Sequence, residues 1–512
     1  MRTPPEYELK FEIDPPQATR LLRQDWLREM LVGNSAKRHL RTIYYDTPDW
    51  QLRHAGISFR IRKSGHQFLQ CVKSMPTETH KSIARDEFEI PVPDNFPHPE
   101  SIPDENLPFD RSLCDRLEPV FEIDVHRTIR TLQPDPETEF ELAVDKGEVR
   151  CGDETSHPFC EVELELRRGP PSALFETARH IVRSVPVRMG VLYKSDRGYR
   201  LAASPNRPWQ KSERITLSNN MTAEDALVTM VLSCLRQLRQ NEQFAVETNN
   251  PESVHQFRVA LRRLRSVLRL YKPNLPAKQY TKFKNVLKWI SERSGAVRDW
   301  DVFLEQRLDP VRSHYPDLSA LDTLADQAAI RRRHAQSSFT RALRSTRYAR
   351  FLIDLYEWIH ERQWREQPVT EESAALFSPL HEFADAKLRK LQDKVHKKGR
   401  KFRQLSDQDR HKLRIAIKKL RYACEFFRSL YSKKNIDKRL KRLKRLQDYL
   451  GELNDIANLP ARAEMLLATP SAEKPESSLA YAAGLLVGWH SAHKNRILKK
   501  AGKQFRKLHL DF

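Results

Sequence analysis

Glu6, Glu8 and Lys10 occupy alternate positions in a short run near the start of the chain. On a β-strand, alternate residues share a face. Two carboxylates and an ammonium then point one way, while Tyr7, Leu9 and Phe11 point the other. A charged face backed by an apolar one fits a solvated sheet surface or the lumen of a barrel. Glu161, Glu163 and Glu165 repeat the arrangement, with Val162, Leu164 and Leu166 behind them. Three aligned carboxylates repel one another unless cations lie among them. A hard divalent cation, which takes oxygen ligands, is their natural partner. Arg60 and Arg62 also share a strand face, and Lys73, Arg85, Arg127 and Lys194 add cations on other segments. Carboxylates and several cations in one lumen suit a metal-bound, highly anionic substrate such as triphosphate.

A second constellation is helical. His255, Arg258, Arg262, Arg265 and Arg269 recur at spacings of three and four, so they form one stripe on a helix. Val254, Phe257, Leu261, Leu264, Leu268 and Tyr271 form an apolar stripe beside it, which core packing explains. The basic stripe needs more, because stacked cations repel. A solvated helix face normally mixes signs, yet no acidic residue occurs between 253 and 275. The pattern returns 156 residues later as His411, Arg414, Lys418 and Arg421, beside Leu413, Ile417, Leu420, Cys424 and Phe427. The same offset carries Gly295 to Gly451 and Asp299 to Asp455. Several anchors kept at one offset indicate a duplicated unit, expected to pack as a pseudo-twofold bundle. Asp299 and Asp455 are expected to pair with the cations of their own repeats.

The elements that must hold these residues differ between the two halves. Period-two runs dominate residues 1–200, at Glu6–Ile13, Thr42–Tyr45, Ile57–Lys63, Phe68–Lys73, Asp86–Val92, Phe121–Thr131, Phe140–Val144 and Phe159–Leu166. Turn signals separate them, Asp145-Lys146-Gly147 among these. So many antiparallel strands suggest a closed barrel. After a polar, proline-bearing linker the periodicity becomes helical to the end of the chain, which predicts an all-α domain. The predicted class is therefore α+β multidomain. Domain one spans 1–203, the linker 204–217 and the helical domain 218–510, with repeats at about 222–345 and 376–507.

Charge divides along the same line. Residues 1–200 hold 29 Lys and Arg against 34 Asp and Glu, whereas the remainder holds 61 against 34. The second half should attract a polyanion. The six cysteines show no metal-ligand spacing and read as free thiols. The region after Met1 is polar, and no run approaches the length of a membrane span. A cytoplasmic protein is expected, without a membrane partner. No helix-turn-helix, zinc-finger or RNA-binding signature is present, which places nucleic acid below other polyanions.

The motifs Glu6-x-Glu8-x-Lys10, Tyr44-Tyr45-Asp46-Thr47-Pro48, Phe59-Arg60-Ile61-Arg62, Asp145-Lys146-Gly147-Glu148, Glu161-Val162-Glu163-Leu164-Glu165-Leu166 and Lys194-Ser195-Asp196-Arg197-Gly198-Tyr199 resemble a CYTH domain, a triphosphate tunnel metalloenzyme. The resemblance implies an eight-stranded antiparallel tunnel. Glu6, Glu8, Glu163 and Glu165 would hold Mg²⁺ or Mn²⁺. Lys10, Arg60, Arg62, Lys73, Arg127 and Lys194 would grip the phosphates, with Arg85 a further candidate of open register. Metal-assisted hydrolysis would follow, with Glu161, or its neighbours Glu163 and Glu165, in the catalytic set and the general base unassigned.

The duplicated His-x-x-Arg pattern resembles a CHAD domain. That resemblance implies polyphosphate binding by His255, Arg258, Arg262, Arg265, His411, Arg414, Lys418 and Arg421 in a groove between the repeats. Lysines in the second copy give a looser phosphate geometry than arginine's fork. CYTH followed by CHAD resembles the bacterial inorganic triphosphatases. The expected activity is tripolyphosphate hydrolysis, with the helical domain binding long-chain polyphosphate or placing the enzyme at polyphosphate granules. The alternatives are a non-catalytic polyphosphate binder, a nucleoside or thiamine triphosphatase, and an adenylate cyclase. Oligomeric state is not legible.

Overall fold

The computed structural model describes residues 7–74, 86–152, 155–190, 194–203, 209–247, 250–468 and 476–508. Two compact units emerge, one of residues 1–208 with 342–363 and one of 209–341 with 364–512.

The first unit is built on β1 (Tyr7–Glu12), β2 (Leu31–Asp46), β3 (Ile57–Ser64), β4 (Gln67–Ser74), β5 (Asp86–Val92), β6 (Glu118–Asp135), β7 (Thr138–Cys151), β8 (Thr155–Arg168) and β9 (Arg188–Met189). They form one antiparallel sheet in the order β5-β4-β3-β2-β6-β7-β8-β1-β9. Eight strands were expected; the ninth is a two-residue strand against β1. Among the described residues no ladder joins β5 to β9. The sheet nevertheless encloses a lumen, since Glu8 of β1 and Glu89 of β5 line one cavity.

This sheet is polar inside and apolar outside. On β1 the apolar residues Leu9 and Phe11 are buried, as are Val162 and Leu164 of β8. They lie against α4 (Pro171–Ser184), which follows α1 (Pro15–Leu21), α2 (Asp25–Glu29) and α3 (Gln51–His54). Prolines at 170 and 171 suit the start of α4, where a missing N–H costs nothing. Its buried residues Leu174, Phe175, Ala178, Ile181 and Val182 fall on one helical stripe. Each large apolar side chain so buried contributes about 1.5–3 kcal/mol. With the outer face sealed in this way, the charged residues of β1 and β8 are turned into the lumen.

Helix α5 (Lys194–Ala202) completes the lumen. Buried Asp46 fixes it from the Tyr-Tyr-Asp-Thr-Pro segment. Asp46 Oδ1 accepts from the backbone N–H of Thr47 and Leu52 at 2.8 and 2.9 Å, and Oδ2 from that of Arg53 at 3.0 Å. Oδ2 also accepts from the Tyr199 hydroxyl at 2.6 Å. One carboxylate thus caps α3 and ties down α5. Gly198 lets α5 lie on β6, since a Cβ there would stand 2.0 Å from the Phe121 ring.

The second unit contains α6 (Ala223–Glu247), α7 (Pro251–Leu270), α8 (Ala277–Val302), α9 (Asp309–His314), α10 (Ala320–Leu343), α12 (Glu371–Ala374), α13 (Leu380–Gly399), α14 (Asp407–Phe426), α15 (Lys433–Leu467), α16 (Glu476–Ser491) and α17 (Lys494–Arg506). Helix α6 packs on α7 and α7 on α8; α13 packs on α14 and α14 on α15. The starts of the two repeats bond reciprocally, Ala223 N–H to Ser378 O at 3.1 Å and Leu380 N–H to Met221 O at 3.0 Å. Such an exchange is the mark of a local twofold axis. The intervening α11 (Thr346–His360) groups with the first unit, where Arg179 of α4 holds Glu357 at 2.8 Å. No helix among the described residues is long and apolar enough to cross a membrane.

Candidate active site and cationic cluster

The antiparallel register sets the lumen in layers. Lys10 stands opposite Glu163, Glu8 opposite Glu165, and Asp145 opposite Glu161. Arg127 stands opposite Asp145 on the next strand. A cavity of about 370 Å³ is lined by Glu8, Lys10, Arg60, Arg62, Lys73, Arg127, Glu163, Glu165 and Lys194, which are nine of the residues singled out from sequence. Glu161 is buried beside Asp145 and Glu163. Glu6 and Arg85 lie outside the described residues.

One wall is acidic and cross-linked by cations. Lys10 Nζ lies 3.0 Å from Glu8 Oε1 and is also bonded to Glu163. Arg127 grips Asp145 with two donors at 2.7 and 2.6 Å and reaches Glu163 Oε2 at 2.5 Å. Burial alone would raise the Glu163 carboxyl, but Lys10, Lys194 and Arg127 outweigh it and hold it well below the carboxylate range. The Asp145 carboxyl is lowered in spite of its burial, chiefly by Lys194. Glu8 goes the other way: burial outweighs Lys10 and raises it. Lys194 is raised because Asp145, Glu161 and Glu163 overcome its desolvation.

The facing wall is cationic. Glu89 lies 3.9 Å from Arg60 and 3.7 Å from Arg62. Arg60 and burial together push the Arg62 guanidinium below its ordinary value. A cavity with an acidic side and a cationic side can hold a metal ion on the first and an anionic chain on the second.

The carboxylates pass a direct test of metal fit. Asp145, Glu161 and Glu163 each offer an oxygen to a group whose members lie within 4.8 Å of one another. Glu161 Oε1 is buried, with no neutral donor among the described residues. Lys194 Nζ is its ion-pair partner at 2.7 Å, so a cation already stands in among these acids. An all-oxygen set suits Mg²⁺ or Mn²⁺.

Sequence reasoning missed Asp145. It read 145–147 as a turn, whereas β7 runs through it. Gly147 serves close approach there, since a Cβ would stand 2.2 Å from Asp124 O. Had the strand been extended, the alternation of Glu141, Ala143 and Asp145 would have placed Asp145 inward. Glu89, Arg38, Glu141 and Arg167 also line the lumen unanticipated.

The helical unit gathers a second set. Lys418 of α14 feels Arg262, Arg265 and Arg258 of α7 as well as Arg414, so the two basic stripes face one another. Burial and these arginines push the Lys418 ammonium down to about 7. Burial, followed by Arg262, takes Arg258 to about 10. Burial and the same arginine take His255 to about 4. The buried Nε atoms of Arg258, Arg262 and Arg414 donate to no described partner.

The two copies are not equivalent. His411 is exposed and bonded to Asn454 at 2.6 Å. Arg421 is engaged by Glu425 and by Gln447, the latter at 3.0 Å. Asp299 and Asp455 depart from expectation in their ion pairs. Asp299 binds Arg462 of the second repeat at 3.1 Å, and Asp455 binds Arg307 of the first at 3.4 Å. Each still acts at a distance on the arginine of its own repeat, Arg258 and Arg414. The acids thus stitch the repeats together, and the central cations keep their excess charge.

Residues 4–187 match the CYTH domain and residues 229–464 the CHAD domain. An inorganic triphosphatase of Haemophilus influenzae is 25% identical over 202 residues, covering 39% of this chain and 55% of the relative. The chain thus spans about half the length of that relative. The CHAD domain of the plant Ricinus communis superposes with a TM-score of 0.51 at 24% identity, over 59% of this chain and 98% of that one. PptA from Streptomyces chartreusis gives a TM-score of 0.44 at 19% identity, over 56% of this chain and all of the other.

Proposed function

For a chain that is a CYTH domain followed by a CHAD domain, we infer that the lumen hydrolyses inorganic triphosphate to diphosphate and phosphate, and that the helical unit binds long-chain polyphosphate. The observation that carries the first part is the convergence of Asp145, Glu161 and Glu163 on one point, across a 370 Å³ cavity from Arg60 and Arg62. Bound Mg²⁺ or Mn²⁺ supplies charge neutralisation of the phosphates and activation of an attacking water. The chain's own groups do the rest. Arg60, Arg62 and Lys73 line the lumen where phosphate oxygens need donors, and arginine's fork suits them. Lys10 and Arg127, anchored on Glu163, keep their charge throughout and orient the anion. Burial raises the Glu8 carboxyl, whereas Asp145 and Glu163 are lowered, which suits Glu8 to take the proton released by water.

Polyphosphate binding is supported by the cluster of Arg258, Arg262, Arg265, Arg414 and Lys418, in which burial and then the charge of Arg262 depress Arg258, Arg414 and Lys418. A polyanion removes that repulsion at every cation it touches. Association with polyphosphate granules would follow from such binding.

A panel of tripolyphosphate, ATP, thiamine triphosphate and long-chain polyphosphate, each with Mg²⁺ or Mn²⁺, tests the enzymatic part. Fastest phosphate release from tripolyphosphate is expected. Release from none of the four overturns it.

A further inference from the structure

The three carboxylates suited to a divalent ion already surround a cation of the chain itself. Lys194 Nζ lies 2.7 Å from Asp145 Oδ2, 2.7 Å from Glu161 Oε1 and 2.6 Å from Glu163 Oε1. These are the acids whose oxygens gather within 4.8 Å of one another. The ammonium therefore sits where a metal ion would. Two cations cannot share that space, because like charges a few ångströms apart in a buried site repel strongly. The remaining oxygens are also covered, by Arg127 on Asp145 Oδ1 and Glu163 Oε2 and by Arg197 on Glu161 Oε2, while Lys10 shares Glu163 Oε1 with Lys194.

We propose that Lys194 is a tethered counter-ion that closes the divalent site until triphosphate enters, so that the ion is taken up with the triphosphate rather than before it. The proposal rests on the triphosphate reading of the lumen. Its logic is one of charge balance. A displaced Lys194 ammonium needs a new partner, and the lumen beyond the acids carries Arg60, Arg62 and Lys73 against the carboxylate of Glu89, which Arg60 and Arg62 already flank. Moving another cation toward that wall is unfavourable while the lumen holds no anion. Triphosphate reverses the sign of that step, because its oxygens accept the ammonium as the divalent ion takes over the carboxylates. A lysine suits the task, being a compact charge on a flexible four-carbon stem. Its backbone stays anchored meanwhile, since α5 is held through Tyr199 on Asp46.

The test is equilibrium dialysis of the full chain against Mn²⁺ at fixed free concentration, with and without imidotriphosphate, a non-hydrolysable tripolyphosphate. Wild type should retain Mn²⁺ weakly alone, and at least about tenfold more tightly with imidotriphosphate, as for one charge interaction gained. Lys194→Met should retain Mn²⁺ at least about tenfold more tightly than wild type without any anion. Equal Mn²⁺ affinity of wild type with and without imidotriphosphate overturns the proposal, and needs no variant. Equal affinity of Lys194→Met and wild type without the anion, with matching thermal unfolding curves, overturns it as well. If imidotriphosphate is not retained at all, the triphosphate reading itself falls. If it is retained while wild type already binds Mn²⁺ tightly without it, only the counter-ion role is lost.

Discussion

Arg258 lies so close to Gly295 that a Cβ on the glycine would stand 2.8 Å from the guanidinium Nη1. The same nitrogen donates to Ser291 O at 3.0 Å. This contact explains why the glycine accompanies the His-x-x-Arg pattern: α8 must present bare backbone for the arginine of α7 to reach the cationic cluster. The second copy is looser, because a Cβ at Gly451 would meet only Arg414 Nε, at 3.8 Å. Gly295→Ala should therefore displace Arg258 and weaken polyphosphate binding by about tenfold, the scale of one lost charged hydrogen bond. Gly451→Ala should leave affinity nearly unchanged and stabilise α15 by about 0.5–1 kcal/mol, as alanine does in a helix interior. Polyphosphate titrations and melting curves of the two variants, compared with wild type, check this. Equal effects on affinity would count against the asymmetry.

Much of this was legible in the sequence, and the failures have physical causes. The i, i+2 carboxylates of β1 and β8 announced a polar lumen, because each charged face had an apolar one behind it that α4 could cover. The 156-residue offset announced the twofold, since His255, Gly295 and Asp299 each had a counterpart. Asp145 escaped because Lys-Gly beside it carries a turn signal, whereas here the glycine is demanded by backbone approach within a strand. Helix α5 escaped because its start, Lys194-Ser195-Asp196, has little apolar periodicity; Asp46 and Phe121 hold it by tertiary contact. The crossed pairs of Asp299 and Asp455 were out of reach for a similar reason, since their partners Arg462 and Arg307 belong to the other repeat.

Lys418 should make polyphosphate affinity depend on pH. It lies among Arg258, Arg262, Arg265 and Arg414, and its ammonium is pushed down to about 7. A bound polyanion favours the protonated form, so binding takes up a proton and affinity should fall as pH rises through that value. His255, down at about 4, stays neutral over this range and adds nothing. Without an anion the sign for stability is fixed by the same shift. The folded state binds fewer protons than the unfolded one between about 7 and the ordinary lysine value of about 10.4, so stability rises with pH across that window. Polyphosphate titrations from about pH 6 to about pH 8 should show the decline in wild type and a flatter profile in Lys418→Met. An unchanged slope in the variant would refute the assignment.

Asp46 is expected to act on the fold and not on the chemistry. It is fully buried and accepts four hydrogen bonds, from Thr47, Leu52, Arg53 and Tyr199. Asp46→Ala strands those donors and should cost on the order of 3 kcal/mol, as the loss of a buried charged acceptor does. Because Tyr199 ties α5 to Asp46, the variant should also loosen Lys194. Denaturant unfolding measures the first effect. Hydrogen exchange along 194–202 measures the second, and unchanged protection there would separate Asp46 from the positioning of α5.

The acids of β7 and β8 should do metal-dependent work on a triphosphate inside the lumen. Phosphate release from tripolyphosphate by the full chain, measured with Mg²⁺ or Mn²⁺ for wild type and Glu163→Gln, tests it most directly. Wild type should turn over only with a divalent ion present, and the variant should lose about 100-fold or more while remaining folded by circular dichroism. Turnover that survives chelation of divalent ions, or that is the same in the folded variant, would rule out metal-dependent hydrolysis at these acids.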